Sequence, residues 1–140
     1  MNEILKIIPL VLYFFVGVVS LLMAFKNFFA DKFLSFHQQA ACKQWEEIED
    51  SLKLVILSYM KMVGLGMLIM AILLIIFPLV NYFISNTFYA FFIPVICAIY
   101  CFGLFVINYW LYRKTKANTP WKGSLYAMFT IIAGIIISIR

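Results

Sequence analysis

Charge is what this sequence has least of. Asp, Glu, Lys and Arg together supply 12% of its 140 residues, about half the share of an ordinary soluble domain. From Met62 to Tyr112 the chain runs for 51 residues without a Lys, Arg, Asp, Glu or His. That excludes a water-soluble globular fold. At about 1.5 Å rise per helical residue, such a run crosses a hydrocarbon layer of roughly 30 Å twice, as a membrane hairpin. The polar cluster Ser85-Asn86-Thr87, next to Asn81, marks its turn. Carboxylates are scarcer still, and all six lie between Glu3 and Asp50. With His37 as the sole histidine and no HExxH, phosphate loop or nucleophile elbow, no metal site and no cofactor is expected. Three dispersed cysteines exclude a disulfide framework. Cys97 and Cys101 stand one helical turn apart on a shared face. Two such positions are not held at the close Cα approach a disulfide needs, so apolar packing is their expected role. Cys42 is expected to be a free cytoplasmic thiol.

What is present is hydrophobic, 66% of the chain. Ile7 to Phe25 and Gly123 to Ile139 add uncharged runs of 19 and 17 residues on either side of the hairpin. The first exceeds the roughly 7–15 residues of a signal-peptide core and has no small-x-small site before Lys26, so it is read as a mature helix. The expected fold is all-α: a four-transmembrane-helix bundle forming one integral membrane domain over 1–140. Its helices fall at about 4–25, 53–83, 88–112 and 121–139, with an interfacial amphipathic helix inside the connecting segment 26–52.

The formal net charge of +5 reads as topology. Lys26, Lys32, Lys43 and Lys53 lie in or beside the first connection, and Arg113, Lys114, Lys116 and Lys122 surround the third, against Lys6 and Arg140 on the opposite side. The positive-inside rule then places both long connections in the cytoplasm and both termini outside it, in a multi-pass protein of the inner (cytoplasmic) membrane. No basic-aromatic sheet pattern or recognition helix supports a nucleic-acid partner. Trp45, Tyr59, Trp110, Tyr112, Trp121 and Tyr126 fall near the cytoplasmic boundary as an aromatic belt.

Small residues recur on two helices, Gly17, Ser20 and Ala24 on the first and Ala127, Thr130, Gly134 and Ser138 on the last. In lipid such stripes let backbones approach closely, inside the bundle or between subunits. Pro9 falls near the start of the first helix, where proline costs least. Phe25, Phe28, Phe29, Phe33 and Phe36, with Lys26, Asn27, Asp31 and Lys32 between them, predict the interfacial helix. Helix two is expected to begin around Trp45 and project into the cytoplasm, with Lys43–Glu47 and Glu49–Lys53 as i,i+4 pairs. Thr119 is the expected N-cap of helix four, with Pro120 in its first turn.

Candidate catalytic groups are His37 and the carboxylates Glu46, Glu49 and Asp50, as an acid-base set. Glu47 shares their acidic turn. Lys61 is the one ionisable residue expected within or at the edge of a membrane helix. It either snorkels to the headgroups or meets a partner along the ladder Asp50, Lys53, Leu57. Asn108 is expected to hydrogen-bond across the bundle, and Gly64 and Gly66 permit close helix contact. Lys61, Asn108, Tyr112, Arg113, Lys114 and Trp121 all fall at the cytoplasmic end, where they suit a ligand with a polar or anionic head and an apolar body.

The pattern His37-x7-Trp45-Glu46-x-Ile48, then Leu57-x3-Lys61-x2-Gly64-x-Gly66, with Thr119-Pro120-Trp121 opening the last helix, resembles a group of small uncharacterised bacterial four-helix integral membrane proteins. The resemblance spans nearly the whole chain and implies the same architecture and a bacterial inner membrane. Size and helix number are also similar to the DoxX-like and MAPEG groups. The arginine-rich helix that binds glutathione in MAPEG enzymes has no counterpart here. The expected partners are a membrane lipid or lipophilic small molecule, within a homo-oligomer or beside a partner membrane protein. A membrane enzyme acting on a lipid-soluble substrate and a structural or accessory subunit of a membrane complex are the alternatives.

Overall fold

The computed structural model describes the backbone of residues 2–84 and 87–139 and the side chains of residues 7–80, 83 and 91–139. The order is α1 (Asn2–Phe28), α2 (Ser35–Ala41), a single 3-10 turn (Trp45–Glu47), α3 (Asp50–Ile84), α4 (Thr87–Thr115) and α5 (Trp121–Ser138). Four of these contain stretches long and apolar enough to cross a membrane: Ile7–Phe28, Asp50–Val80, Phe91–Thr115 and Trp121–Ser138. The fold is therefore the all-α four-helix membrane bundle with a short extra helix between its first two spans, and the chain is a multi-pass integral membrane protein. The hairpin turn expected at Ser85-Asn86-Thr87 lies at the edge of the described residues. Ser85 and Asn86 fall outside them, as do the side chains of Thr87 and Asn81.

Successive spans run antiparallel, with α1 on α3 and α5, and α4 on α3 and α5. The α1–α3 seam is built from small residues. A Cβ on Gly17 would lie 2.6 Å from Ile75 and 3.4 Å from the Ala71 carbonyl, and one on Gly64 would lie 3.1 Å from both the Ala24 carbonyl oxygen and the Phe28 amide nitrogen. Ser20 and Ala24 are buried in the same seam. The Ser20 hydroxyl donates back to the Val16 carbonyl at 2.8 Å, so no polar group is stranded. Two residues on, a Cβ at Gly66 would meet the Tyr100 hydroxyl of α4 at 2.5 Å. The Gly64-x-Gly66 step is thus where α3 touches α1 and α4 at once. On α5, Gly134 makes room for the Tyr13 ring of α1, and Ser138 donates to the Gly134 carbonyl. Tyr13, Val16, Met70, Leu74, Ile93, Cys97, Cys101 and Ile131 form the dry centre.

The connections differ from the sequence reading. Phe25 and Phe28 belong to α1, which continues past Phe25 because nothing there breaks a helix. Phe29 stands just beyond α1 and Phe33 in the loop, leaving Phe36 on the seven-residue α2. α3 starts at Asp50 rather than near Trp45. Gln44 caps the 3-10 turn in a reciprocal box with Glu47, and Ile48 turns extended at ψ 139°, which stops the turn from propagating. The Glu47 carboxylate accepts from the Gln44 amide at 3.2 Å instead of pairing with Lys43. Lys53 pairs with Asp50 at 2.9 Å, one residue closer than Glu49. Pro9, Pro78 and Pro94 all lie inside helices, as membrane helices tolerate.

Candidate functional site

The C-terminal end of α4, the N-terminal end of α5 and the turn between them carry Arg113, Lys114, Lys116 and Lys122 beside a cluster of aromatic rings. Along α4, two ladders of i,i+4 spacing run to its last turn: Phe105–Tyr109–Arg113 and Val106–Trp110–Lys114. Together these six side chains line a shallow, open surface groove along one face of α4. Its apolar length is aromatic and its mouth is cationic. Arg113 and Lys114 also complement the negative end of the α4 dipole. The one ion pair among the described residues is Lys53–Asp50, so no described carboxylate neutralises Arg113, Lys114, Lys116 or Lys122.

Behind the groove, α5 fixes α4 by ring packing. Trp121 stands 5.5 Å from Tyr109, 5.9 Å from Tyr112 and 6.3 Å from Phe105, centroid to centroid. Lys116 lies over Tyr112 at 5.7 Å and Lys122 over Trp121 at 5.6 Å, both within cation–π range. The tight turn between the helices is held by polar bonds. The Lys116 amide closes on the Tyr112 carbonyl at 2.8 Å, with Lys116 itself in the left-handed region at φ 57°. The Thr115 hydroxyl donates to Leu111 and accepts from Ala117. Thr119, 4% exposed, donates to the Asn108 carbonyl at 2.8 Å. Thr119 is therefore not the N-cap, a position that falls to Pro120; its hydroxyl ties the turn to α4. The Asn108 side chain bonds the Leu104 carbonyl of its own helix at 2.8 Å rather than crossing the bundle, because that carbonyl is the nearer acceptor for a short amide at i+4.

Of the six ligand-binding candidates, Arg113 and Lys114 line the groove, Tyr112 and Trp121 back it, and Asn108 anchors the turn beside it. Lys61 is apart from them. It is exposed on α3 with no ion pair among the described residues, on the opposite side of the helix from Met70, which faces the core. Phe105, Val106 and Tyr109 were missed by reading residue types alone. The signal was present in the two i,i+4 ladders that end on adjacent cations.

The catalytic candidates do not converge on one another. Glu46, Glu49 and Asp50 are exposed, and Asp50 is engaged by Lys53. His37 is half-buried on α2, its ring centroid 4.0 Å from that of Phe36 and 6.0 Å from that of Phe33. Phe33 in turn packs edge-on against Trp45 at 5.0 Å. Nδ1 of His37 is buried without a hydrogen-bond partner, and burial holds the imidazole below its usual pKa. α2 packs on α4, and the Gln39 side-chain carbonyl accepts from the Asn118 amide at 3.0 Å. The short helix thus straps the third connection from outside. Among the described residues no group of three His, Cys, Asp or Glu side chains is placed to hold a metal ion.

Comparison of the chain with protein-family models, with curated proteins and with solved structures finds no match. The chemistry of the α4 groove is accordingly the basis for a functional reading.

Proposed function

We propose that the protein binds an amphiphile, a membrane lipid or a lipophilic small molecule with an anionic head, at the cytoplasmic leaflet through the α4 groove. The observation that carries this is the pairing of two cations, neutralised by no carboxylate among the described residues, with an aromatic trough on one helix face. Arg113 presents a planar fork suited to phosphate or carboxylate, and Lys114 adds a mobile point charge. Phe105, Val106, Tyr109 and Trp110 supply apolar surface where acyl chain or ring would lie. Trp110 is exposed, as suits a side chain at headgroup depth. Trp121 and Thr119 tie the last turns of α4 to α5 from behind, through ring packing and the hydrogen bond to the Asn108 carbonyl. The orientation that puts this end in the cytoplasm rests on the eight-against-two distribution of basic residues.

The test is native mass spectrometry of the chain extracted with minimal delipidation. The wild type should retain a bound mass through detergent washing, and the Arg113→Ala/Lys114→Ala double variant should retain it at least tenfold less, with unchanged helical circular dichroism. Equal retention by the two proteins contradicts the reading.

A further inference from the structure

Away from the groove, α2 is a weakly held element. Its 7 residues are too few to make a stable helix on their own. Its N-cap, Leu34, gives no side-chain hydrogen bond, and none of its residues is buried. It is bounded by the loop 29–34 on one side and by the left-handed Cys42 on the other, as befits a segment that opens locally. Two sets of contacts hold it down. The Gln39 side-chain carbonyl accepts from the Asn118 amide at 3.0 Å. The His37 ring lies 4.0 Å from Phe36 and 6.0 Å from Phe33, and Phe33 stands edge-on to Trp45 at 5.0 Å.

We infer that α2 is an acid-released strap, closed on α4 while His37 is neutral and let go when its ring takes up a proton. Nδ1 of His37 is buried without a hydrogen-bond partner. A bare ring nitrogen there suits the neutral tautomer whose proton sits on Nε2. Protonation turns Nδ1 into a charged donor that faces no acceptor, which is costly in a buried position. The Phe36 face offers a cation–π contact but nothing for the N–H to donate to. No charge nearby compensates. α2 carries no other ionisable side chain. The segments around it carry Asp31 and Lys32, Cys42 and Lys43, Glu46 and Glu47 on the 3-10 turn, Lys53 on α3, and Tyr112, Arg113, Lys114 and Lys116 at the end of α4. None of these forms an ion pair with His37, and burial is the one cause that holds its pKa down. Release into water returns the ring to its ordinary value of about 6.5. The open form therefore takes up the proton first, so the strap is closed above about pH 6.5 and opens progressively below it. Opening frees Asn118 from Gln39 and turns Phe33 and Phe36 out to the membrane interface.

The test places nitroxide labels on Cys42, the exposed cysteine at the C-cap of α2, and on α5 at Gly123→Cys, where an added Cβ meets nothing within 4 Å. Cys97 and Cys101 are each 1% exposed and stay unlabelled. Pulsed electron–electron distance measurement is made on the full chain in lipid nanodiscs at about pH 7.5 and about pH 5, a range in which exposed carboxylates stay largely ionised. One short distance is expected at the higher pH. At the lower pH a longer component should be at least threefold more populated, should reverse on return, and should leave the helical circular dichroism unchanged. His37→Phe and His37→Gln, which replace the ring by an apolar and a polar group that do not titrate, should each remove the pH dependence. Distances unchanged between the two pH values in the parent, or a change of equal size in either His37 variant, overturn the inference.

Discussion

Two regions of this bundle use small and large residues in opposite ways. Along the α1–α3 seam Gly17, Ala24 and Gly64 bring backbone against backbone, and a Cβ added at Gly64 would press on main-chain atoms that cannot move aside. On α4, Gly103 has no heavy atom within 4 Å of where its Cβ would be, and the outer face beyond it carries the aromatic trough that ends at Arg113 and Lys114. The first region is closed and its residues answer to packing, since in lipid helices associate through close van der Waals contact rather than hydrophobic expulsion. The second is open, and among the described residues no carboxylate pairs with the two cations at the end of its aromatic ladder. The difference separates the seam that holds the fold from the open face that the proposed amphiphile would occupy.

The sharpest way to break this contrast is to fill both glycines. Gly64→Val should cost about 3 kcal/mol by overpacking the seam. Gly103→Ala should leave stability unchanged or raise it by up to about 1 kcal/mol through higher helix propensity. Unfolding in mixed micelles measures both, and equal costs would erase the distinction.

A smaller effect is expected inside the closed region. Tyr13 is 3% exposed and its hydroxyl makes no hydrogen bond, while the Ser138 hydroxyl of α5 donates to the Gly134 carbonyl. Removing an unpartnered buried hydroxyl without changing shape removes its desolvation penalty. Tyr13→Phe should therefore stabilise the protein by about 1 kcal/mol, read by the same unfolding assay; a loss of stability would show that the hydroxyl has a partner in the membrane.

The smallest effect belongs to the α2 strap on the third connection. Burial depresses the His37 pKa, so the unfolded chain takes up its proton first as pH falls. The stability this contributes is complete above the unfolded value near 6.5 and is lost as pH drops through the folded value. Stability should fall from about pH 6.5 downward, and His37→Phe should flatten that slope. A slope unchanged by the substitution would assign it to other groups.

The spans were legible because absence of charge over 51 residues has one physical meaning in a helical chain, and the small-residue stripes of α1 and α5 pointed to the faces that now hold Ile75 and Tyr13. The segment between α1 and α3 was not, because five phenylalanines at helical spacing fit one amphipathic helix as well as they fit a helix end, a loop and a new helix. What decided it was local: the left-handed Cys42 at φ 51° that ends α2, and the Gln44–Glu47 box that ends in an extended Ile48. At the candidate site, Arg113, Lys114, Tyr112 and Trp121 were found from residue type and position. Lys61 drew attention because it is charged inside an apolar sequence, but the rotation of α3 that turns Met70 to the core turns Lys61 away from it.

The most direct measurement is photo-crosslinking in native membranes with an anionic lipid carrying a photoactivatable acyl chain, followed by peptide mapping of the adducts. The α4 groove as the binding face predicts adducts concentrated in residues 105–114 and lost in the Arg113→Ala/Lys114→Ala variant. Adducts spread evenly over the lipid-facing sides of α1, α3 and α5, with no change in that variant, would contradict it.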